Sequence, residues 1–138
     1  MEAIPKALAA WHALVQSGDP TKLHSLLAEE AVFESPVVYT PQRGKVITTR
    51  YLTAALKVLG ADFRYIEQWV NPRSAVLEFV ATVDGIAVNG VDIIGWDAED
   101  RIGRFKVMVR PLKGMEALRT RMAAELGVAA ATAPRRPD

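Results

Sequence analysis

Four β-strands joined by short turns are predicted in the second half of the chain, and this feature constrains the fold most. The strands are expected at residues 62–70, 74–83, 86–97 and 101–111. Asn71-Pro72 and Asp84-Gly85 supply the first two turns, and Asp-Gly between alternating apolar residues is a strong hairpin signal. Strands joined by turns this short pair antiparallel, so the sequence predicts a run of antiparallel strands.

The first half of the chain and its end are predicted to be mainly helical. Apolar residues recur there at helical spacing, and Asp19 and Pro20 suit the N-cap and the first position of the second helix. The expected helices are 3–17, 20–30, 46–59 and a short C-terminal helix at 114–126, with a short strand at 31–35. Helices before a run of antiparallel strands predict an α+β fold, with the helices packed on one face of the sheet.

Length and composition exclude several classes of protein. The 138 residues suffice for one domain, predicted at 1–126, and the Pro-rich, charged end at 127–138 is predicted to be disordered. A formal net charge of +1 argues against nucleic acids and membrane surfaces as partners, and the lack of cysteine excludes disulfides and thiolate metal sites. No signal peptide is recognisable, and no uncharged apolar run reaches the roughly 18 residues of a membrane span. We therefore expect a cytoplasmic protein.

A carboxyl group inside a predicted buried strand is the first pointer to a function. Asp92 lies between Val91 and Ile93 in the stretch VNGVDIIGWD, residues 88–97. An ionised carboxylate there loses its hydration at considerable cost unless it is paired or protonated. Desolvation raises the pKa of a carboxyl group, and a neutral carboxylic acid can donate a hydrogen bond or act as a general acid. Asp92 is thus predicted either to line a site or to be a structural group bonded to Trp11, a tyrosine or a backbone amide.

The predicted sheet has two faces of different character. Alternation places Leu77 and Phe79 on one face, which we call the concave face, and Val76 and Glu78 on the other, the convex face. The convex face is mixed rather than polar, and helices can cover only one side of the sheet. A second copy of the chain is therefore predicted to cover the convex face, which gives a sheet-to-sheet homodimer.

The order of elements and two stretches of sequence resemble the nuclear transport factor 2-like superfamily, whose fold is a cone of curved, mostly antiparallel sheet wrapped by three helices. The stretches are SGDPTKLHSLLAEEAVFESPVV at residues 17–38 and VNGVDIIGWDAEDRIGRFKVMVRPL at residues 88–112. The superfamily includes ketosteroid isomerase, limonene epoxide hydrolase, scytalone dehydratase and the SnoaL-like polyketide cyclases. The resemblance therefore implies the fold and leaves the activity open.

Compared with ketosteroid isomerase, the chain keeps one of three catalytic positions. Asp92 falls where that enzyme has a protonated aspartic acid that donates to the oxyanion. Ser35 occupies the position of its general-base aspartate, and Trp11 occupies that of its oxyanion-hole tyrosine. The resemblance implies a related pocket but not a steroid isomerase of the same mechanism, because a serine is not a base of similar strength.

The resemblance and the strand alternation together predict a largely apolar pocket in the cone, with Asp92 as its catalytic acid or base. The residues expected to bind substrate are Trp11, Ser35, Tyr39, Tyr51, Phe79, Trp96, Phe105 and Val107. Such a pocket suits a small hydrophobic molecule with one oxygen function. The predicted activity is cofactor-free acid–base chemistry of the isomerase, cyclase, dehydratase or hydrolase type, with no metal.

Two other functions stay open at this point, and so does the role of the two histidines. A non-catalytic binding protein would use the same pocket, and the missing base at Ser35 favours it. An interaction module would use the convex face instead. His12, next to Trp11 on the first helix, is expected either to reach the mouth of the pocket with an acid–base role or to be partly exposed and inert. His24 is predicted to lie on the surface.

Overall fold

In a computed structural model, which describes residues 3–127, four helices and six strands follow one another along the described part of the chain. The helices are α1 Lys6–Ser17, α2 Leu23–Leu26, α3 Lys45–Leu59 and α4 Leu112–Glu125, with a 3₁₀ turn at Pro20–Lys22 before α2. The strands are β1 Leu27–Glu34, β2 Gln42–Arg43, β3 Arg64–Asn71, β4 Ser74–Val83, β5 Ile86–Trp96 and β6 Ile102–Arg110. The tail predicted to be disordered, 127–138, lies outside the described residues except for Gly127.

The strands of this described region form one sheet in the order β2-β1-β6-β5-β4-β3. Neighbouring strands run antiparallel except β1 and β6, which run parallel. Strands β3 to β6 follow the predicted antiparallel run, and the sheet is curved and does not close on itself. The predicted α+β fold is therefore confirmed. Within residues 3–127, no helix has both the length and the apolar character that a membrane crossing needs.

The second helix is shorter than the sequence predicts. Its spacing predicts a helix over 20–30, whereas α2 ends at Leu26 and β1 begins at Leu27. Leu27 pairs with Ile102 of β6, and both side chains are buried, as is Phe33 farther along β1. Pairing with β6 overrides the helical tendency of this segment, because burying apolar side chains in the sheet outweighs small differences in helix propensity.

The core lies between the helices and the concave face of the sheet. Alternation along β4 and β5 turns every second side chain into this layer, where Leu77, Phe79 and Ile94 are fully buried. The helix α1 packs Leu8 against this layer, and α4 packs Leu118 on the part of it that contains Phe79. These contacts fix the helices around the concave face.

Gly90 allows β5 to pass beneath the aromatic ring of Phe79. The two residues lie opposite each other in the β4–β5 pair, and a Cβ atom on Gly90 would lie 2.7 Å from Phe79 Cζ and 2.3 Å from the carbonyl oxygen of Met108. We expect Gly90→Ala to lower the free energy of unfolding by about 1–3 kcal/mol, because it overpacks a buried contact. Urea denaturation measures this loss.

Gly103 provides the control for this prediction, because a Cβ atom at that position meets nothing within 4 Å. Gly103 lies in β6, where alanine is compatible with the strand, so Gly103→Ala should leave stability unchanged or raise it slightly. Equal stabilities for the two variants would contradict the close packing of Phe79 on Gly90.

Candidate functional site

A cavity of about 790 Å³ lies between α1, α3, α4 and the concave face of the sheet. This volume is within the range of pockets that hold small organic ligands. Most of the lining is apolar, and it includes Phe33, Leu52, Leu56, Phe63, Phe79 and Phe105. The exposed lining residues lie at the end of α1, in the turn before β3 and along β3, which places the mouth of the cavity there.

A chain of three side chains links α1 to the middle of the sheet inside this cavity. Trp11 Nε1–H donates to the hydroxyl oxygen of Tyr65 at 2.9 Å, and that hydroxyl donates to Asp92 Oδ2 at 2.5 Å. Trp11 and Asp92 are buried, Tyr65 is half-buried, and all three line the cavity. The order of donation is determined by Trp11, since an indole nitrogen can only donate.

The surroundings of Asp92 change its acidity. Burial raises the pKa of Asp92 from 3.8 to about 7, and the hydrogen bond from Tyr65 opposes part of that rise. The pKa of Tyr65 is raised well above its usual value, first by burial of its hydroxyl and then by the negative charge on Asp92. Near neutral pH, Tyr65 therefore stays a donor, while Asp92 is present in both its acidic and its basic form.

One oxygen of Asp92 remains available to a ligand. Oδ2 accepts from Tyr65, whereas Oδ1 has no hydrogen-bond partner among the described residues. Among the described residues, every fully buried side-chain oxygen or nitrogen has a hydrogen-bond partner. Because Oδ1 has no partner, it is not fully buried, and it is accessible from the cavity that Asp92 lines. The residue as a whole is only 5% exposed. Asp92 thus presents one oxygen to an enclosed and largely apolar space.

The remaining polar residues of the lining lie mainly toward its mouth. They are His12, Gln16, Ser35, Arg64, Glu67 and Gln68. Across residues 3–127, no three His, Asp or Glu side chains are grouped in a way that would hold a metal ion. The imidazole, carboxyl and hydroxyl groups among them can form hydrogen bonds and transfer protons.

The sequence profile of the SnoaL-like domain matches residues 8–105 of the chain. The chain belongs to the SnoaL-like domain family. This confirms the resemblance to the nuclear transport factor 2-like superfamily that the sequence suggested. No protein with curated annotation matches the sequence.

Solved structures support the same fold for this SnoaL-like domain. A steroid delta-isomerase from Pseudomonas aeruginosa is 39% identical, with a TM-score of 0.84 over 88% of this chain and 89% of the other. An uncharacterised protein from Silicibacter pomeroyi with a cystatin-like fold is 30% identical, with a TM-score of 0.83 over 89% and 86%. The epoxide hydrolase/cyclase-like enzyme SalBIII, which has a role in pyran ring formation in salinomycin, is 17% identical. Its TM-score of 0.64 over 79% and 91% shows a shared fold alone.

Six of the nine site residues predicted from the sequence line the cavity of this SnoaL-like domain. They are Trp11, Ser35, Phe79, Asp92, Phe105 and Val107. Trp11 also packs edge-on against Phe105, with ring centroids 4.8 Å apart, and so joins the apolar wall to the hydrogen-bonded chain. Strand alternation, the packing of α1 and the end of β1 therefore bring these side chains together around one space.

The other three predicted residues lie outside the cavity wall. Tyr39 is on the loop after β1 and is 99% exposed, so it does not form a rim. Tyr51 is partly buried within α3, where its ring packs 5.4 Å from that of Phe33. Trp96 is buried at the end of β5 and donates to the carbonyl oxygen of Pro72 at 3.1 Å. It shares the concave face with Asp92 but lies beyond the end of the cavity.

The hydroxyl of Ser35 is used by the local backbone. Oγ accepts from the backbone N–H of Val37 at 3.1 Å and from that of Val38 at 3.3 Å. This arrangement stabilises the turn that ends β1. A serine oxygen engaged in this way, with no histidine bonded to it, does not supply a base to the cavity.

Tyr65 is the residue of the candidate site that the sequence analysis misses. It lies on the edge strand β3, whose side chains are mostly exposed and show no clear alternation. A bulge between Tyr65 and Glu67 turns Tyr65 onto the concave face, opposite Phe79. One signal in the sequence could have indicated Tyr65. The predicted sheet contains the buried carboxyl group of Asp92, which needs a hydrogen-bond donor, and a tyrosine lies in a neighbouring part of the chain.

Proposed function

We propose that this chain is a cofactor-free acid–base enzyme that acts on a small hydrophobic, oxygen-bearing substrate, with Asp92 as the acid. The observation that carries the proposal is the state of Asp92: its pKa is about 7 and its Oδ1 reaches a cavity of about 790 Å³. Isomerisation, cyclisation, dehydration and hydrolysis all fit, because each can depend on proton transfer to a substrate oxygen or from a neighbouring carbon.

Neutral Asp92 would act on the substrate oxygen directly. Because the Tyr65 hydroxyl already donates to Oδ2, the acidic proton belongs on Oδ1, the oxygen that faces the cavity. A carbonyl oxygen that accepts this hydrogen bond gains negative charge as the reaction proceeds, and a donor fixed in an apolar site stabilises that charge more than water does. The aromatic and aliphatic walls would hold the rest of the substrate.

The steroid delta-isomerase that is 39% identical supports an enzyme without identifying the substrate. SalBIII, an epoxide hydrolase/cyclase-like enzyme at 17% identity, adds only the shared fold. Ser35 does not support steroid isomerisation with a base at position 35, because its hydroxyl bonds the backbone and is not a base of carboxylate strength. The proposal is therefore restricted to acid–base chemistry on a hydrophobic substrate.

Deuterium exchange into a model ketone tests the proposal without knowledge of the natural substrate. The probe is 2-decalone in heavy water, because its two fused rings suit an apolar cavity and exchange beside its carbonyl requires enolisation. We expect the wild-type protein to accelerate this exchange over buffer, and to accelerate exchange into acetone much less. The exchange is measured by mass spectrometry. Equal rates with and without protein would contradict the proposal.

A non-catalytic binding protein is the second candidate function. The involvement of the Ser35 hydroxyl in the backbone turn favours it, since the cavity then lacks the base found at that position in ketosteroid isomerase. Such a protein would bind 2-naphthol, a hydrophobic molecule with one hydroxyl group, yet would not accelerate exchange into 2-decalone. The same two probes therefore distinguish the two functions.

We further propose that the convex face forms a homodimer. Trp69 and Met108 are half-exposed on this face, where Met108 lies opposite Val91 of β5. We expect light scattering to give twice the monomer mass for the wild type and the monomer mass for Met108→Glu. Val46→Glu, at a 79% exposed apolar residue on α3, is the control and should remain dimeric. A monomeric wild type at micromolar concentration would contradict the proposal.

A further inference from the structure

We propose that His12 is the second proton-transfer residue of the cavity, and that it removes the proton from the carbon next to the substrate oxygen that Asp92 polarises. This inference rests on the proposed function and adds the base that the function needs. Enolisation requires a proton donor at the carbonyl oxygen and a proton acceptor at the α-carbon. Ser35 does not supply the proton acceptor.

The other titratable side chains of the lining fail as bases. The guanidinium of Arg64 does not release its proton, and Tyr65 keeps its proton because burial raises its pKa. Glu67 lies opposite Glu78 in the β3–β4 pair. Glu78 in turn lies opposite Val91, the neighbour of Asp92, so alternation turns Glu67 toward the convex face and away from Asp92. His12 is left as the basic group among the described lining residues.

The position of His12 brings its ring close to the Asp92 site. Its ring stands perpendicular to that of Tyr65, with centroids 5.4 Å apart, and the hydroxyl of the same tyrosine bonds Asp92 at 2.5 Å. One tyrosine therefore separates the imidazole from the carboxyl group, and both border the same cavity. A ring-sized substrate that rests on Tyr65 would have His12 near one edge and Asp92 near another.

Gln68 determines which nitrogen of His12 is basic. His12 Nε2 lies 2.9 Å from Gln68 Oε1, an oxygen that only accepts, so Nε2 carries the hydrogen. Nδ1 of the neutral imidazole then holds the free electron pair. Gln68 lies opposite the buried residue Leu77, which fixes it on the concave side. Gln68 is thus a positioning residue that orients His12 and selects its tautomer.

The proposed step balances without a cofactor. Nδ1 of His12 takes the proton from the α-carbon, the electrons of that C–H bond form the carbon–carbon double bond, and the carbonyl electrons move to an oxygen that Asp92 protonates. The reverse transfer returns a proton to carbon and restores Asp92. Because His12 is partly exposed, its captured proton exchanges with solvent, so deuterium enters the substrate.

The chain contains two histidines, which gives the test a matched control. We expect His12→Gln to slow exchange into 2-decalone by about 10²- to 10⁴-fold while 2-naphthol binding persists. His24→Gln, on the exposed surface of α2, should exchange at the wild-type rate. Added imidazole should restore part of the rate to His12→Ala, which a loss of folding or of a purely structural contact would not allow.

The outcomes separate this inference from the proposed function. An active wild type and an equally active His12→Gln would overturn the role of His12 and leave the role of Asp92 intact. An inactive wild type that still binds 2-naphthol would refute the proposed function, and the role of His12 with it. Loss of rate in His12→Gln without rescue of His12→Ala by imidazole would also count against a base at this position.

Discussion

Asp92→Asn is expected to slow deuterium exchange into 2-decalone by about 10²- to 10⁴-fold. Asparagine has nearly the same size and can still accept the hydrogen bond from Tyr65. Its amide, however, has no acidic proton to transfer to a substrate oxygen. The loss should therefore appear in the rate at saturating ketone, measured by mass spectrometry, while the affinity for 2-naphthol changes far less.

A second aspartate provides the control for this result. Asp100 lies in the turn between β5 and β6 with a φ of 62°, a left-handed conformation that asparagine adopts readily. Asp100→Asn removes one carboxyl group far from the cavity, so it should leave the exchange rate unchanged. If Asp92→Asn also keeps the wild-type rate, Asp92 has no part in the chemistry and its role is structural.

The stability of the wild type, relative to Asp92→Asn, should fall by about 4 kcal/mol as the pH rises from about 4 to about 8. The pKa of Asp92 is raised from 3.8 to about 7 in the folded state. Between these values the folded protein holds a proton that the unfolded chain has released, so each rise in pH favours unfolding. Below 3.8 both states hold the proton and above 7 neither does, so the difference levels off at both ends.

Urea denaturation of both proteins across this pH range measures the effect. Subtracting the free energy of unfolding of Asp92→Asn removes the contributions of all other titratable groups, since its amide does not titrate. A difference that stays constant with pH would mean that the carboxyl group has an ordinary pKa in the folded protein. A difference that grows with pH would mean that Asp92 is stabilised in its ionised form.

Much of the sheet is predictable because strict alternation and turn residues point to the same registers. The strand predicted at 74–83 is β4 as observed, and β5 ends one residue before its predicted end. The Asp84-Gly85 turn fixes the pairing between these two strands. Burial of Asp92 on the concave face follows from this register, which is why the central residue of the site is recognisable in the sequence.

The hydrogen-bond partner of Asp92, Tyr65, is not predictable from the sequence, because a bulge in β3 shifts the alternation of its side chains. Counting back from the turn at Asn71 would place Ile66 opposite Phe79 and would put Tyr65 on the convex face. The bulge shifts this register, so Tyr65 lies opposite Phe79 instead. Alternation carries no information on where a bulge occurs, and the exposed edge strand offers no burial pattern that would reveal one.

The extent of the cavity is also beyond what alternation can predict. Periodicity assigns Trp96 to the correct face but does not say how much of that face the helices cover. In the structure the cavity does not reach Trp96, whose indole is bonded to Pro72. Tyr39 lies on a loop, where no periodicity applies and no neighbour holds its side chain in place.

A carbon-13 NMR titration of the Asp92 carboxyl group measures its pKa in the folded protein, with Asp92→Asn used to assign its signal. We expect a midpoint near pH 7 in the free protein, in accord with the pKa of about 7, and a change in the signal when 2-naphthol binds. A midpoint near the ordinary value of 3.8, with no response to 2-naphthol, would contradict this expectation. Asp92 would then be an ionised structural group, and the cavity would have no acid.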